Sequence, residues 1–212
     1  DVADGDEREA MLLEEKVPAV LIGSSDRAGG VPGIDADFAQ MAHAGVEHLA
    51  ELGHRRIVAL MRETASDDAH ARQDQAHELL RAAQELGVDV LVRQVPEAAL
   101  AGADIVEAGG LIEGCSAVLS NNPAAVVGLA CAAQAHGLSV PADLSVLTLG
   151  VTQDSGRQGE AFSELSVDRE AMGIEAGSLL LSRLRGEPDP AQHRRLMPAV
   201  LADRGSTARC SN

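Results

Sequence analysis

Short apolar strands alternate with amphipathic helices along most of this sequence of 212 residues. A strand that is followed by a helix and then by another strand builds a parallel sheet with helices packed on its faces. The order therefore predicts an α/β fold made of doubly wound sheets. The strand-like runs, which are rich in Val, Ile and Leu, are 18–23, 56–61, 88–95, 116–120 and 143–149, and a further extended segment is expected at 194–203.

Helix boundaries are marked by residues with known positional preferences. Asn122 is a good N-cap, Pro123 suits the first helical position, and Gly137 ends the same helix. A less regular helix is expected between residues 96 and 114. The segments whose apolar residues repeat at helical spacing are 38–52, 71–86, 123–136 and 169–185.

The loops that follow the strands form the candidate functional edge, because ligands of open parallel sheets bind beyond the carboxyl ends of the strands. The loop after the strand at 143–149 begins with Gly150 and carries the polar residue Gln153. The last strand residues before the four candidate loops are Gly23, Met61, Ser120 and Leu149.

Charge and hydropathy exclude several classes of function. With 33 acidic and 17 basic residues, the net charge of −16 would repel DNA, whose recognition depends on Lys and Arg. No apolar run approaches the ~18–20 residues of a membrane span, and no signal peptide is visible. The three scattered cysteines fit a reducing compartment, and the scattered histidines do not indicate a metal site.

Catalytic and cofactor motifs are absent from the sequence. It has no Gly-x-Gly-x-x-Gly after a strand, no Gly-x-x-x-x-Gly-Lys-Ser/Thr and no Gly-x-Ser-x-Gly. Ser24 and Ser25 follow a strand, but no histidine is placed to activate either of them. We therefore expect a protein that is not an enzyme and that uses neither a cofactor nor a metal ion.

Several segments together resemble the effector-binding domain of LacI/GalR-family transcriptional regulators. They occur in the family's order and span nearly the whole chain, and the ending VEHLAELGHRRI is the most specific piece. The segments are VPAVLIG (17–23), IDADFAQMAHAGVEHLAELGHRRI (34–57), AVLSNNPAAVVG (117–128), GLSVPADLSV (137–146), SVDREAMG (166–173) and PAVLADRGSTA (198–208).

The resemblance implies a periplasmic-binding-protein-like fold of type I, in which the chain crosses three times between two Rossmann-like α/β lobes. By this mapping, residues 1–53 and 162–187 form the N-terminal lobe, and residues 54–161 and 188–212 form the C-terminal lobe. The family's helix-turn-helix headpiece, its hinge and the opening strands of its N-terminal lobe have no counterpart in this sequence. We therefore expect the N-terminal lobe to be incomplete.

The resemblance also implies a cytoplasmic homodimer that binds a small-molecule effector in the cleft between the lobes. Closure of the cleft would modulate the binding of operator DNA by a headpiece that is not in this chain. An alternative is a periplasmic or secreted solute-binding protein of an ABC-type transporter, which has the same fold. A helix-turn-helix upstream of Asp1 would indicate the regulator, and a signal peptide would indicate the transport protein.

Five residues match positions that contact the ligand or line the cleft in the family, although several differ in type. Asn122 matches the family's asparagine, and helix capping is its alternative role. Gln75 stands where the family has an arginine, and Gly150 stands where an aspartate binds ligand hydroxyls. Gln40 occupies a position that often faces the cleft. Arg169 stands where an aromatic residue often lines the ligand, and its alternative is a solvated residue of the first helical turn.

These departures from the family pattern indicate an unusual effector. Sugar sites combine carboxylates with aromatic faces, but aromatic residues are only 1% of this chain, namely Phe38 and Phe162. We therefore expect a small polar or anionic ligand, bound by Arg169 and by amide groups, rather than an ordinary neutral sugar. Loss of any effector response is a further alternative.

Overall fold

The computed structural model describes six stretches of the chain. Val151 and Gln153, from the candidate loop after residue 150, lie outside them, and so do Ser24 and Ser25. For residues 69–74 only the backbone is described. The described residues are 7–23, 30–63, 69–107, 114–150, 162–187 and 194–210.

Six helices occur in these residues. The four helices predicted from capping and spacing are confirmed within two residues at each end, and the less regular one is confirmed as a shorter helix. The first helix has no counterpart in the prediction. The helices are α1 (Glu7–Glu14), α2 (Phe38–Glu51), α3 (Ala69–Leu86), α4 (Ala99–Glu107), α5 (Pro123–Ala135) and α6 (Arg169–Leu184).

Nine strands of the described residues form two sheets, which confirms the predicted α/β class. The second and seventh strands were not predicted, because they are short and partly polar. The strands are β1 (Leu21–Ile22), β2 (Gly33–Ala36), β3 (Arg56–Arg62), β4 (Asp89–Val95), β5 (Ala117–Ser120), β6 (Ser145–Leu149), β7 (Ser163–Ser166), β8 (Arg194–Met197) and β9 (Val200–Ala202).

The larger compact unit is built on a six-stranded sheet with the order β4-β3-β5-β6-β7-β9. Its first five strands are parallel, and β9 is antiparallel to β7. Strands β3, β5 and β6 are buried along nearly their whole length, as expected of parallel strands covered on both faces. One face packs against α4 and α5 through Val58 and Val118, and Leu119 and Leu149 contact α2 at Gly45.

The smaller unit contains α1, α6 and a parallel three-stranded sheet with the order β1-β2-β8. Helix α6 packs against β2. Glu9 of α1 is only 1% exposed, and its carboxylate accepts a hydrogen bond of 2.9 Å from the backbone amide of Val31. This bond holds the segment that leads into β2.

The two compact units are bounded by other residues than the predicted lobes, and the lobe boundaries themselves stay a prediction. Within the described residues, the chain passes between the units after Asp37, Ala69, Ser166 and Ala199. Helix α2 belongs to the larger unit because it packs against β5, β6 and β7. Strand β7 is hydrogen-bonded to β6 in the same unit, whereas β8 pairs with β2 in the smaller one. Among the described residues, Ala69 and the segments 38–53, 162–166 and 194–199 lie in a different unit from the lobe predicted for them.

Helices α4 and α5 cross with their backbones in direct contact. A Cβ atom added to Gly102 would lie 1.7 Å from the carbonyl oxygen of Ala125, and one added to Gly128 would lie 1.7 Å from that of Ala99. Both distances are far inside van der Waals contact, so no side chain fits at either position. The shared Ala-x-x-Gly spacing is what allows the two helices to approach so closely.

His54 links the C-terminal segment to the amino ends of two strands through hydrogen bonds. Its side chain is buried, and Nε2 donates to the carbonyl oxygen of Ala208 at 3.0 Å, which leaves Nδ1 to accept from Ser116 Oγ at 2.7 Å. Ser145, the first residue of β6, accepts a hydrogen bond of 3.0 Å from the Ala208 amide. Burial is the main cause that lowers the pKa of His54, so the imidazole is neutral near pH 7.

We expect Gly102→Ala to lower the free energy of unfolding by about 3 kcal/mol or more, because the added methyl group forces α4 and α5 apart. Gly173→Ala in α6 is the matched control, since nothing lies within 4 Å of a Cβ at that position. There, the gain in helix propensity should stabilise the protein by about 0.5–1 kcal/mol. Urea unfolding followed by circular dichroism measures both changes, and a harmless Gly102→Ala would contradict the close crossing.

His54 should make the protein less stable on the acid side of neutrality. Because its folded-state pKa is lowered from 6.5, the unfolded chain binds a proton at a higher pH than the folded chain. The contribution of neutral His54 to the free energy of unfolding is therefore fully present above about pH 6.5. It is lost progressively as the pH falls toward the folded-state pKa of His54.

We expect His54→Gln to flatten this pH dependence and to lower the free energy of unfolding at neutral pH by about 1–3 kcal/mol. His77→Gln, at an exposed position of α3, is the control and should leave the pH dependence as it is. Thermal unfolding at about pH 7.5 and 5.5 measures the effect. An unchanged pH dependence in His54→Gln would count against a buried neutral histidine.

Candidate functional site

The parallel register brings the ends of three neighbouring strands to one edge of the larger unit. Leu60 of β3 is level with Ser120 of β5, and Ser120 is level with Thr148 of β6. The residues that come next, including Asn121 and Gly150, therefore lie at the carboxyl edge of the sheet. This is the edge at which parallel sheets bind ligands.

A relay of hydrogen bonds crosses this edge from β3 to α2. The backbone amide of Arg62 donates to Asn121 Oδ1 at 2.7 Å. Asn121 Nδ2 donates in turn to Gln75 Oε1 of α3 at 2.9 Å. Gln75 Nε2 lies 3.8 Å from the sulfur of Met41 in α2. The relay therefore joins two strand ends to two helices and includes the predicted residue Gln75.

The side chain of Asn122 is used by the fold itself. It is fully buried, and its Oδ1 caps α5 by accepting from the Ala125 amide at 3.1 Å. Its Nδ2 donates to the carbonyl oxygens of Val95 at 3.2 Å and Pro96 at 3.0 Å. Of the two roles considered for Asn122, helix capping is the one that the structure shows.

Gly150 lies beside Met41 at the end of β6. Its φ angle is +60°, in the left-handed region that favours glycine, and its amide donates to the carbonyl oxygen of Leu165 at 2.7 Å. A Cβ atom at Gly150 would lie 3.4 Å from the Met41 sulfur, an ordinary contact, so conformation rather than lack of space favours glycine here. The structure thus brings the predicted residues Gln75 and Gly150 together around Met41.

The remaining two predicted residues lie elsewhere. Gln40 is half-buried in the first turn of α2. Arg169 is exposed at the start of α6 in the smaller unit, where Asp168 caps the helix by accepting from the Ala171 amide at 2.9 Å. The grouping within the larger unit therefore includes Gln75 and Gly150 but not Arg169.

Two members of the grouping, Asn121 and Met41, are not singled out by the sequence pattern. Asn121 directly follows a predicted strand at the functional edge, and that position is the signal that could have identified it. Met41 is 1% exposed and belongs to the apolar repeat of α2. Its contact with Gln75 is therefore visible only in the folded chain.

Two charged residues of the larger sheet are engaged in ion pairs. Arg62 Nη1 lies 3.1 Å from Glu97 Oε2, and the buried Glu164 of β7 pairs with Arg204 at 3.1 Å. The hydrogen-bonding side chains of the relay, Asn121 and Gln75, are by contrast neutral amides. Among the residues described, no cluster of His, Cys, Asp and Glu could hold a metal ion, and no helix is long and apolar enough to cross a membrane.

Comparison with known proteins agrees with this architecture. The family model for the periplasmic binding protein-like domain matches residues 46–207. A curated relative, the uncharacterized HTH-type transcriptional regulator in the aml 5′ region of Streptomyces limosus, is 30% identical over 206 residues. The match covers 95% of this chain and 58% of the relative, so the chain spans little more than half of that protein's length.

Solved structures of regulators share the fold at low sequence identity. A LacI-family regulatory protein from Chloroflexus aggregans has a TM-score of 0.82 at 21% identity, with 99% of this chain and 75% of that chain covered. A LacI-family regulator from Bifidobacterium animalis has a TM-score of 0.81 at 21% identity, with 99% and 76% covered. The regulator CelR, solved with cellobiose, has a TM-score of 0.76 at 22% identity, with 97% and 63% covered.

The family model covers most of this chain, and the curated relative and the solved structures are named as regulators. The α/β units and the parallel register of the larger sheet agree with that match. The chain therefore belongs to the periplasmic binding protein-like domain family.

Proposed function

We propose that this chain binds a small polar effector and thereby modulates DNA binding by a LacI-type transcriptional regulator. The observation that carries the proposal is the grouping of Gln75, Asn121, Met41 and Gly150 at the carboxyl edge of the larger sheet. A parallel sheet leaves this edge to ligands, and here it carries amide groups beside an exposed glycine.

The named relatives support a regulator over a solute-binding protein or an enzyme. The Streptomyces limosus relative is described as a helix-turn-helix regulator, and the CelR structure shows that a protein of this fold binds a small molecule. The net charge of −16 disfavours direct DNA contacts by this chain, so the proposal assigns them to a headpiece. A homodimer that acts on operator DNA in the cytoplasm is the assembly we propose.

The proposed effector is polar or anionic, because the chain has only two aromatic residues that could stack against a sugar ring. Phe162, one of the two aromatic residues of the chain, is 8% exposed and belongs to the apolar core beside α5. Gly150 supplies no carboxylate to bind sugar hydroxyls. Amide groups of the carboxyl edge, with Gln40 of α2 as a further proposed contact, suit a ligand rich in oxygen acceptors.

A thermal-shift panel of sugars, sugar acids, organic acids and phosphates tests the proposal. A ligand at about 100 times its dissociation constant stabilises a protein by about 2.7 kcal/mol, which corresponds to about 5–10 °C for a chain of this size. We expect at least one acid or other acceptor-rich molecule to give such a shift. Tight binding of neutral sugars alone would contradict the proposed ligand class, and no shift with any molecule would contradict the proposed function.

Two glutamine variants on α3 then locate the binding site. Gln75→Ala should weaken binding of the stabilising molecule by about tenfold or more, because it removes an amide from the carboxyl edge. Gln84→Ala, at an exposed position of the same helix, is the matched control and should bind as the parent does. Calorimetric titration of the three proteins measures the difference, and equal affinities would place the site elsewhere.

A further inference from the structure

The direction of the relay is fixed by its first donor. The backbone amide of Arg62 can only donate, so the atom of Asn121 that lies 2.7 Å from it must be the oxygen. The nitrogen of Asn121 then faces Gln75 at 2.9 Å, and Gln75 must present its oxygen in return. Exchanging the amide atoms of either side chain would oppose two donors or two acceptors.

The last donor of the relay is buried and poorly satisfied. Gln75 is only 2% exposed. In the described part of the chain, its Nε2 has one acceptor, the thioether sulfur of Met41 at 3.8 Å. A thioether is a weak acceptor, and a primary amide nitrogen has two hydrogen atoms to donate. The free energy falls when a stronger acceptor forms a hydrogen bond with a buried donor in this state.

The position of Met41 provides a route for such an acceptor. The sulfur lies 3.4 Å from the place of a Gly150 Cβ, and Gly150 is exposed. A methionine side chain is unbranched and adapts readily to a new neighbour. A ligand oxygen that arrives over Gly150 and displaces the sulfur would therefore meet the N–H groups of Gln75.

We propose that Asn121 is a specificity-determining positioning residue that turns Gln75 into a hydrogen-bond donor toward the effector. The effector class that this arrangement selects carries an acceptor oxygen, such as a carboxylate or carbonyl, at the point that enters beside Met41. Ammonium groups, which only donate, are disfavoured there. This inference rests on the proposed function. It adds that the site donates a hydrogen bond to the effector at this point rather than accepting one.

Asn121→Asp tests directly whether Gln75 presents its nitrogen or its oxygen to the effector. One aspartate oxygen still accepts from the Arg62 amide, but the other can only accept, so Gln75 must turn and present its own oxygen toward Met41. The probes are D-glucuronate and D-glucosamine, which share a sugar ring and differ in carrying a carboxylate or an ammonium group. We expect the parent to bind glucuronate about tenfold more tightly than glucosamine, and Asn121→Asp to reverse the order.

Gln84→Glu is the control for added charge, since it places a carboxylate at an exposed position of the same helix. It should keep the parent's order of affinities. If Asn121 does not orient Gln75, Asn121→Asp should change the two affinities without reversing their order. That outcome, or a parent that prefers glucosamine, would overturn the inference.

A second measurement needs no ligand, so it separates this inference from the proposed function. Hydrogen exchange at the Arg62 amide, followed by NMR, reports the first bond of the relay. We expect exchange in Asn121→Ala to be about tenfold faster or more, and exchange in Asn121→Asp to stay near the parent rate. Equal exchange rates of the Arg62 amide in all three proteins would contradict the relay, even if the thermal-shift panel identifies a ligand. If neither sugar derivative binds, this measurement decides the inference alone.

Discussion

A neutral, buried imidazole is the constraint on which the larger unit depends. His54 connects the residue before β5, the first residue of β6 and the C-terminal segment, through Ser116, Ser145 and Ala208. Its partners are two hydroxyls and a carbonyl, which satisfy a neutral ring but leave a buried charge uncompensated. Because parallel strands keep their register along their length, fastening the amino ends also sets the relative positions of the carboxyl ends.

The hydrogen bonding of the side chains therefore differs between the two edges of the sheet. At the amino edge, the hydrogen bonds of His54 form a closed network with the C-terminal segment. At the carboxyl edge, the relay through Asn121 and Gln75 ends on a weak sulfur acceptor beside the exposed Gly150. An arrangement of this kind suits the proposed binding site, because a preorganised site spends little binding energy on ordering the protein. Such a site sets specificity without changing the fold.

Local signals were sufficient to predict much of the fold but only part of the site. Strand–helix alternation and capping residues predict the α/β class and the main helices because these signals lie within short segments. Strand β7 was not predicted because it contains the charged residue Glu164. This residue is buried and pairs with Arg204, which follows β9, the antiparallel partner of β7. Gln75 and Gly150 follow from the family resemblance, whereas the role of Asn121 depends on a backbone amide of β3 that no local pattern reveals.

A crystal structure of this chain with the molecule that stabilises it most would test the binding site most directly. We expect an oxygen of that molecule within about 2.7–3.2 Å of Gln75 Nε2, with the Met41 sulfur displaced and the bond from the Arg62 amide to Asn121 retained. A molecule bound away from the carboxyl edge of the larger sheet, with Gln75 Nε2 still against the Met41 sulfur, would contradict the proposed site.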